Sequence, residues 1–484
     1  MVRFIVVALF PLATLTAQWT QFRGPNGSGV SDAAKLPIDL GPGKNVLWRT
    51  ELPSGHSSPV ISRDRIFLTA AEGGKRSDAG LQKVVDEGGK LLTICVDRRT
   101  GKVLWRREAP RPRLERYQPT NSPASPSPVT DGKMVYVFFG DYGLIAYTFE
   151  GKEHWKLPLG PFNNVNGHGS SPILVEDMLV LLCDQDSGGS YLIAVDKESG
   201  RVRWRTERPD VTRSYSTPAV LRGPRGAVEL VVPGSYQLAS YDARTGKKLW
   251  WVTGMSWQPK STPIVDGEIV YAHWWENGGE AEQPTETPAF ADMLAQFDTD
   301  KDKRISVAEL AADPRMQRGF ANNDLDGDGF LDEREWNFYI ARRASRNVLI
   351  AVRTGARGDL TASSDILWRM QKFLPNVPSP LLYRGALYLI KDGGILTSVD
   401  PKTGGILKQG RLPGALDTYY ASPVGGGGHV YVLSQTGKMT VLKAAHQWEI
   451  VASADFEDEC YATPAIVDDR IYVRTRASLY CFGP

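Results

Sequence analysis

The chain has 484 residues, 42% hydrophobic and 23% charged, with 57 basic against 55 acidic side chains and a formal net charge of +2. This is globular composition with enough apolar material for a sizeable core, and so even a charge balance argues against nucleic acid or an anionic membrane as the main partner. The 48 glycines and 13 tryptophans suit a turn-rich β architecture that repeats an aromatic position.

Arg3 followed by an apolar run over 4–13 (FIVVALFPLA) reads as a signal peptide over residues 1–17, with cleavage after Ala17. The run is too short to span a bilayer, and no later stretch is long and apolar enough to do so, so the mature chain is expected to have no transmembrane segment. No cysteine stands at the cleavage position to carry a lipid anchor. The expected location is the periplasm or the exterior. The four cysteines read as small core residues with free thiols. Cys460 and Cys481 are expected two strands apart, about 9–10 Å, which is beyond disulfide reach.

After a leader over 18–44, one pattern recurs. A small residue and proline open an apolar strand, and a turn and two apolar strands follow, the second ending near Asp. A Thr-Gly or Ser-Gly turn then leads into an apolar-Trp strand. Residues 171–205 show it whole, from Ser171-Pro172 through LVLLC, YLIAVD and Ser199-Gly200 to VRWR. The proline returns at Pro59, Pro128, Pro172, Pro218, Pro263, Pro380, Pro423 and Pro464, which makes eight copies. A period in the forties with four short strands per unit predicts an all-β, eight-bladed β-propeller. The Trp position is read as Trp48, Trp105, Trp155, Trp204, Trp250, Trp368 and Trp448, with Lys408 in the sixth copy. These indoles are expected to pack between adjacent sheets. The strand over 45–50, carrying Trp48, has no blade of its own and should complete the last repeat, which lacks a fourth strand. The propeller is thus expected over 45–273 and 346–484.

The repeated LIAVD, Ser-Gly or Thr-Gly and Trp strand resembles the PQQ-type propeller repeat of quinoprotein alcohol dehydrogenases and of the outer-membrane protein assembly factor. The opening Trp19-x-x-Phe22-Arg23-Gly24-Pro25 is similar to the start of exported bacterial proteins with this repeat. The resemblance implies the fold and leaves function open, because the shared residues are scaffold.

Between 274 and 345 the sequence turns acidic and helix-forming. This segment is expected to be a small α-helical EF-hand insertion between the second and third strands of blade five. Two twelve-residue loops carry oxygen ligands at calcium spacing. The first is Asp298, Asp300, Asp302, the Arg304 carbonyl and Glu309, and the second is Asp324, Asp326, Asp328, the Phe330 carbonyl and Glu335. Calcium is the expected cofactor. Gly329 meets the sharp turn at position six, whereas the first loop has Lys303 there, at a cost of about 1–2 kcal/mol for a left-handed non-glycine. Ile305 and Leu331 are expected to pair the loops.

The propeller resemblance puts this insert, the blade-one excursion over 72–90 and the starts of the innermost strands on one face. Residues just before each recurring proline should ring the channel mouth there. The candidate ligand face is His56, His168, Tyr215, Trp257, Lys260, Tyr419, Tyr420 and Tyr461, with Trp274 and Trp275 near the rim. Such a surface suits a protein, peptide or glycan partner. The resemblance also raises PQQ as a cofactor and a dehydrogenase as the alternative function. Similar enzymes use a vicinal cysteine pair, a catalytic Asp and a channel calcium. This chain has no adjacent cysteines and no Cys-x-x-Cys-His, and no position here can be matched to the catalytic Asp. A non-catalytic binding or scaffold role is therefore the first expectation, with no catalytic residue assigned.

Overall fold

The computed structural model describes residues 18–484 except 81–82, 187–188, 278 and 280–286. The expected signal peptide, 1–17, lies outside the described residues. Eight four-position antiparallel sheets follow one another in chain order, each innermost strand opening just after its recurring proline. The ring closes as expected: Val46–Glu51 pairs antiparallel with Ser478–Phe482 and supplies the outer strand of blade eight. An all-β, eight-bladed propeller is the result. Blade four has a fifth, parallel strand on its outer edge, Gly358–Asp359, lent by the loop between the third and fourth strands of blade five.

The two inner strands of each blade are apolar on both faces because neighbouring sheets cover them. Met178–Cys183 and Tyr191–Asp196, for example, are buried almost throughout. Outer strands alternate exposed and half-buried residues. The blade tryptophans work as wedges between sheets. The indole N–H of Trp48, Trp105, Trp155, Trp204 and Trp368 donates to a carbonyl in the next blade's turn, at 3.1, 2.7, 2.8, 3.0 and 3.0 Å respectively. The turn glycine packs on the ring. Gly151 has φ +79°, and a Cβ there would lie 2.7 Å from Trp105, so only glycine fits.

One assignment changes. Trp448 precedes its strand, and Ala452 takes the wedge register in blade seven, opposite Val441. Trp448 instead reaches back to blade six, where Lys408 occupies the wedge position. The Lys408 ammonium lies 4.3 Å from the Trp448 ring and donates to its carbonyl at 2.6 Å. All four cysteines are buried and unbridged.

A three-helix segment runs between Ile269–Trp274 and Val348–Arg353, the second and third strands of blade five. Its helices are α1 (Phe290–Phe297), α2 (Pro314–Asn323) and α3 (Glu333–Ala344). Asp313 starts α2 by accepting the Arg315 and Met316 N–H groups at 3.0 Å. Phe290, Phe297, Ile305, Leu310, Phe320, Leu331 and Trp336 form a core belonging to the segment itself. Among the described residues, no helix is long and apolar enough to cross a membrane.

Candidate functional site: the axial cavity and the helical insert

The residue before each recurring proline is Ser or Thr, and its side chain tightens the axis. Ser58, Ser127 and Ser171 donate their backbone N–H to the hydroxyl of the next blade's residue at 2.9, 2.9 and 3.0 Å, ending on Thr217. Thr262, Ser379, Ser422 and Thr463 continue in the same sense at 2.9, 2.9, 3.0 and 3.0 Å and return to Ser58. The girdle skips the step from Thr217 to Thr262, leaving the Thr262 hydroxyl without a partner among the described residues. At this gap the leader enters, with Gly27 against the Thr262 methyl.

The leader runs across the inner strands of several blades. Trp19 pairs with Ile61, Thr20 accepts from Thr130, the Asn26 carboxamide pairs with the Val220 backbone, and Gly29 and Ser31 pair with Gly425. Fully buried Arg23 sits beneath the axis. Its guanidinium donates to the carbonyls of Gly27, Ser28, Ser379 and Pro380 at 2.9, 3.3, 3.3 and 2.7 Å. Burial without a carboxylate lowers its pKa to about 9. Phe22, one residue earlier, lines a cavity of about 630 Å³ together with girdle residues such as Ser58 and Ser422.

His56, Tyr215, Lys260, Tyr420 and Tyr461 line this cavity, as does Trp275. His56 and Tyr461 stack at 4.0 Å with 11° between planes, and Tyr420 lies 5.1 Å from Tyr461. Burial, reinforced by Arg474, Arg76 and Arg476, drives the His56 pKa down to about 3, so its ring is neutral. Tyr215 accepts the Asn166 carboxamide N–H at 2.7 Å.

Three expected members do not face the cavity. His168 turns outward after left-handed Gly167 and packs edge-on against Phe138 and Phe162 at 5.2 and 4.7 Å. Tyr419 is buried in the blade-six and blade-seven core, because successive residues of an extended chain point to opposite sides and Tyr420 takes the cavity side. Trp257 is buried under the insert, its N–H on the Thr212 hydroxyl at 2.6 Å, between the guanidinium groups of Arg213 and Arg342 at 4.6 and 4.3 Å. Its neighbour Gln258, held at φ +57°, lines the cavity instead. Trp274 is also core, donating to the Gly234 carbonyl at 3.0 Å.

The proline rule missed the carboxamides Gln118, Asn121, Asn166 and Asn376 and the ion pair of Arg342 with Glu276 at 3.4 Å. The carboxamides stand further upstream in the same entry loops, where extending the rule by a few residues would have reached them. Arg342 had no local signal, since it comes from the last turn of α3. Glu276 has its pKa raised by burial, against the pull of Arg342 and Lys260. Burial also lowers the Lys260 pKa to about 8, opposed by Glu276 and Asp392.

The insert docks on the same side. Leu325 packs with Tyr236 and Trp257, and its carbonyl accepts from Asn163 at 3.0 Å. Arg334 donates to the Asp186 carbonyl at 3.3 Å. Within the insert, Asp298, Asp300 and Asp302 bring carboxylate oxygens within 4.8 Å of one another, and so do Asp324, Asp326 and Asp328. Ile305 pairs with Leu331 and Ser306 with Phe330 in a two-residue ladder. Glu309 accepts from the Thr299 and Ser306 N–H groups, and Glu335 from those of Leu325, Asp326 and Asp332. Lys303 and Gly329 share the left-handed turn, at φ +66° and +88°. The side chain of Arg304 reaches Asp302 at 3.2 Å and stacks on Phe330 at 3.7 Å.

No protein-family model matches the chain. No curated protein matches it either. Solved structures do. BamB from Moraxella catarrhalis aligns with a TM-score of 0.54 at 11% identity, over 91% of this chain and 97% of that one. The quinohemoprotein alcohol dehydrogenase of Comamonas testosteroni gives 0.59 at 12% identity, over 98% and 81%. A europium-containing methanol dehydrogenase gives 0.55 at 10% identity, over 97% and 98%. The chain therefore shares its eight-bladed propeller with BamB and with quinoprotein dehydrogenases, a likeness of fold.

Proposed function

We propose that this is an exported, calcium-loaded propeller without catalytic activity, which holds a protein, peptide or glycan partner at its axial cavity beside an EF-hand pair in blade five. Export is supported by Arg3 and the apolar run over 4–13. In this reading residues 1–17 are the signal peptide, 18–44 the leader, 45–273 and 346–484 the propeller, and 274–345 the calcium unit. Asp298, Asp300, Asp302, the Arg304 carbonyl and Glu309 would hold one ion. Asp324, Asp326, Asp328, the Phe330 carbonyl and Glu335 would hold the other. Clustered carboxylate oxygens in paired loops are the donor set a hard divalent cation takes, and the ion would neutralise their mutual repulsion.

The observation that carries the binding role is the cavity wall, which offers aromatic faces, carboxamides and hydroxyls around a single carboxylate, Glu276, already paired with Arg342. A quinone cofactor with a metal partner is the less supported occupant of this wall. Among the described residues, both three-carboxylate clusters lie on the insert and all four cysteines are buried inside blades. The dehydrogenase reading is the alternative, and one paired assay separates the two. The full chain in calcium is tested for PQQ-dependent dye reduction with alcohols, and for capture of envelope components by wild type against a Tyr420→Ala/Tyr461→Ala variant. Capture of a component that the variant loses, without dye reduction, is expected. PQQ-dependent turnover would overturn the proposal.

A further inference from the structure

We infer that the axial cavity is a lectin-type site for an uncharged oligosaccharide, with a sugar ring stacked on the Tyr420–Tyr461–His56 wall and its hydroxyls met by the carboxamides around the mouth. This rests on the binding role proposed above and names the ligand class.

The cavity presents flat aromatic faces to one side of a ligand, the His56–Tyr461 stack at 4.0 Å continued by Tyr420. The C–H face of a pyranose packs on such a surface, and burying it there is favourable without any charge. Around it stand Gln118, Asn121, Asn166, Gln258, Asn277 and Asn376, all carboxamides. A carboxamide both donates and accepts, as a sugar hydroxyl does, so the two can pair reciprocally at the groups not already bonded; Asn121 is held at both ends, Asn166 gives an N–H to Tyr215, and Gln118 accepts from Lys83. The carbonyl oxygen of Asn376 is shielded and has no partner among the described residues.

The charges at the wall are balanced among themselves. Arg342 pairs with Glu276 at 3.4 Å, and Lys260 sits under the influence of both Glu276 and Asp392. The lining thus carries Lys260 and Arg342 against one carboxylate, Glu276, and Asp392 behind the lining offsets Lys260, so little net charge is left to recruit an acidic or basic ligand. An extended peptide is disfavoured for a separate reason. It would need free backbone N–H and C=O groups along an edge, and the N–H groups at the inner-strand starts of seven blades are already spent on the hydroxyl girdle.

The experiment is titration calorimetry of the full chain with maltohexaose, cellohexaose and N-acetylchitohexaose, with hexagalacturonate and a pool of random decapeptides as comparisons. At least one neutral oligosaccharide is expected to bind, and raising NaCl to about 0.5 M should change its affinity by less than about twofold, since no ion pair forms. Tyr461→Ala is expected to weaken it by at least about tenfold. Tyr420→Ala is the second variant, and quenching of Trp275 on sugar addition is an independent readout in wild type. Binding only of hexagalacturonate, with salt-sensitive affinity, or only of peptides, with loss in Tyr461→Ala, would overturn the neutral-glycan inference and leave the cavity's binding role standing. Binding of none of these probes would overturn the inference, and the absence of any envelope component sensitive to Tyr420→Ala/Tyr461→Ala would remove the binding role as well.

Discussion

Arg342 and Glu276 join the end of α3 to the cavity wall. Arg342 stands in the last turn of α3, the helix whose first turn carries Glu335, and its guanidinium meets Glu276 in the cavity wall at 3.4 Å. The same guanidinium lies 4.3 Å from the Trp257 ring. One helix thus spans from the second loop to the axial cavity. Arg342→Ala should remove both contacts and loosen the docking of α3 by about 1–2 kcal/mol. Hydrogen exchange of α3 should rise about tenfold, with blades six to eight unchanged.

Calcium affinity should follow the turn at position six. Lys303 is held at φ +66° where the second loop has Gly329 at +88°. Lys303→Gly should relieve about 1–2 kcal/mol and tighten the first site roughly tenfold. Glu335→Gln should abolish the tighter binding event by removing its bidentate ligand. Calorimetry of the two variants against wild type checks both outcomes.

Arg23 ties the leader under the axis through four backbone carbonyls. Arg23→Ala would strand buried acceptors and unpin the leader, a loss of about 3 kcal/mol. The expected result is a lowered melting temperature together with rapid proteolysis within 18–31. Trp448→Ala, remote from the leader, should lower stability without exposing it.

The Lys260 pKa is lowered by burial to about 8 from its ordinary 10.5, so the folded state binds its proton less tightly than the unfolded chain does. The penalty is absent above pH 10.5, develops as pH falls from 10.5 to 8, and is fully present at neutral pH. Lys260→Met should therefore raise stability at pH 7 by about 1–2 kcal/mol and change it far less above pH 10.5. Chemical denaturation at the two pH values checks the sign.

The ring was readable because its marks are local. Eight prolines, each preceded by Ser or Thr, and a tryptophan followed in the next blade by a turn glycine all stand at fixed strand positions. The closing strand over 46–51 followed from the unpaired edge. What escaped depends on contacts across the fold. Trp448 looked like a wedge by spacing, yet the ring it covers is completed by Lys408 of the previous blade. His168 and Tyr419 were one residue from cavity-lining Gly169 and Tyr420, and a left-handed glycine or the alternation of an extended chain decided which side chain faced inward. The leader's bonds to several blades and the arrival of Arg342 from α3 are long-range pairings with no trace in the repeat.

The central claim is that the insert is a calcium unit forming part of the cavity wall, and hydrogen exchange of the full chain with and without calcium tests it most directly. Protection should rise across 290–344 as the carboxylate loops are neutralised and ordered. It should also rise at the docking residues Tyr236, Trp257 and Glu276, with little change in blades six to eight. Protection unchanged by calcium in 290–344, or raised there with none transmitted to Trp257 and Glu276, would contradict the account.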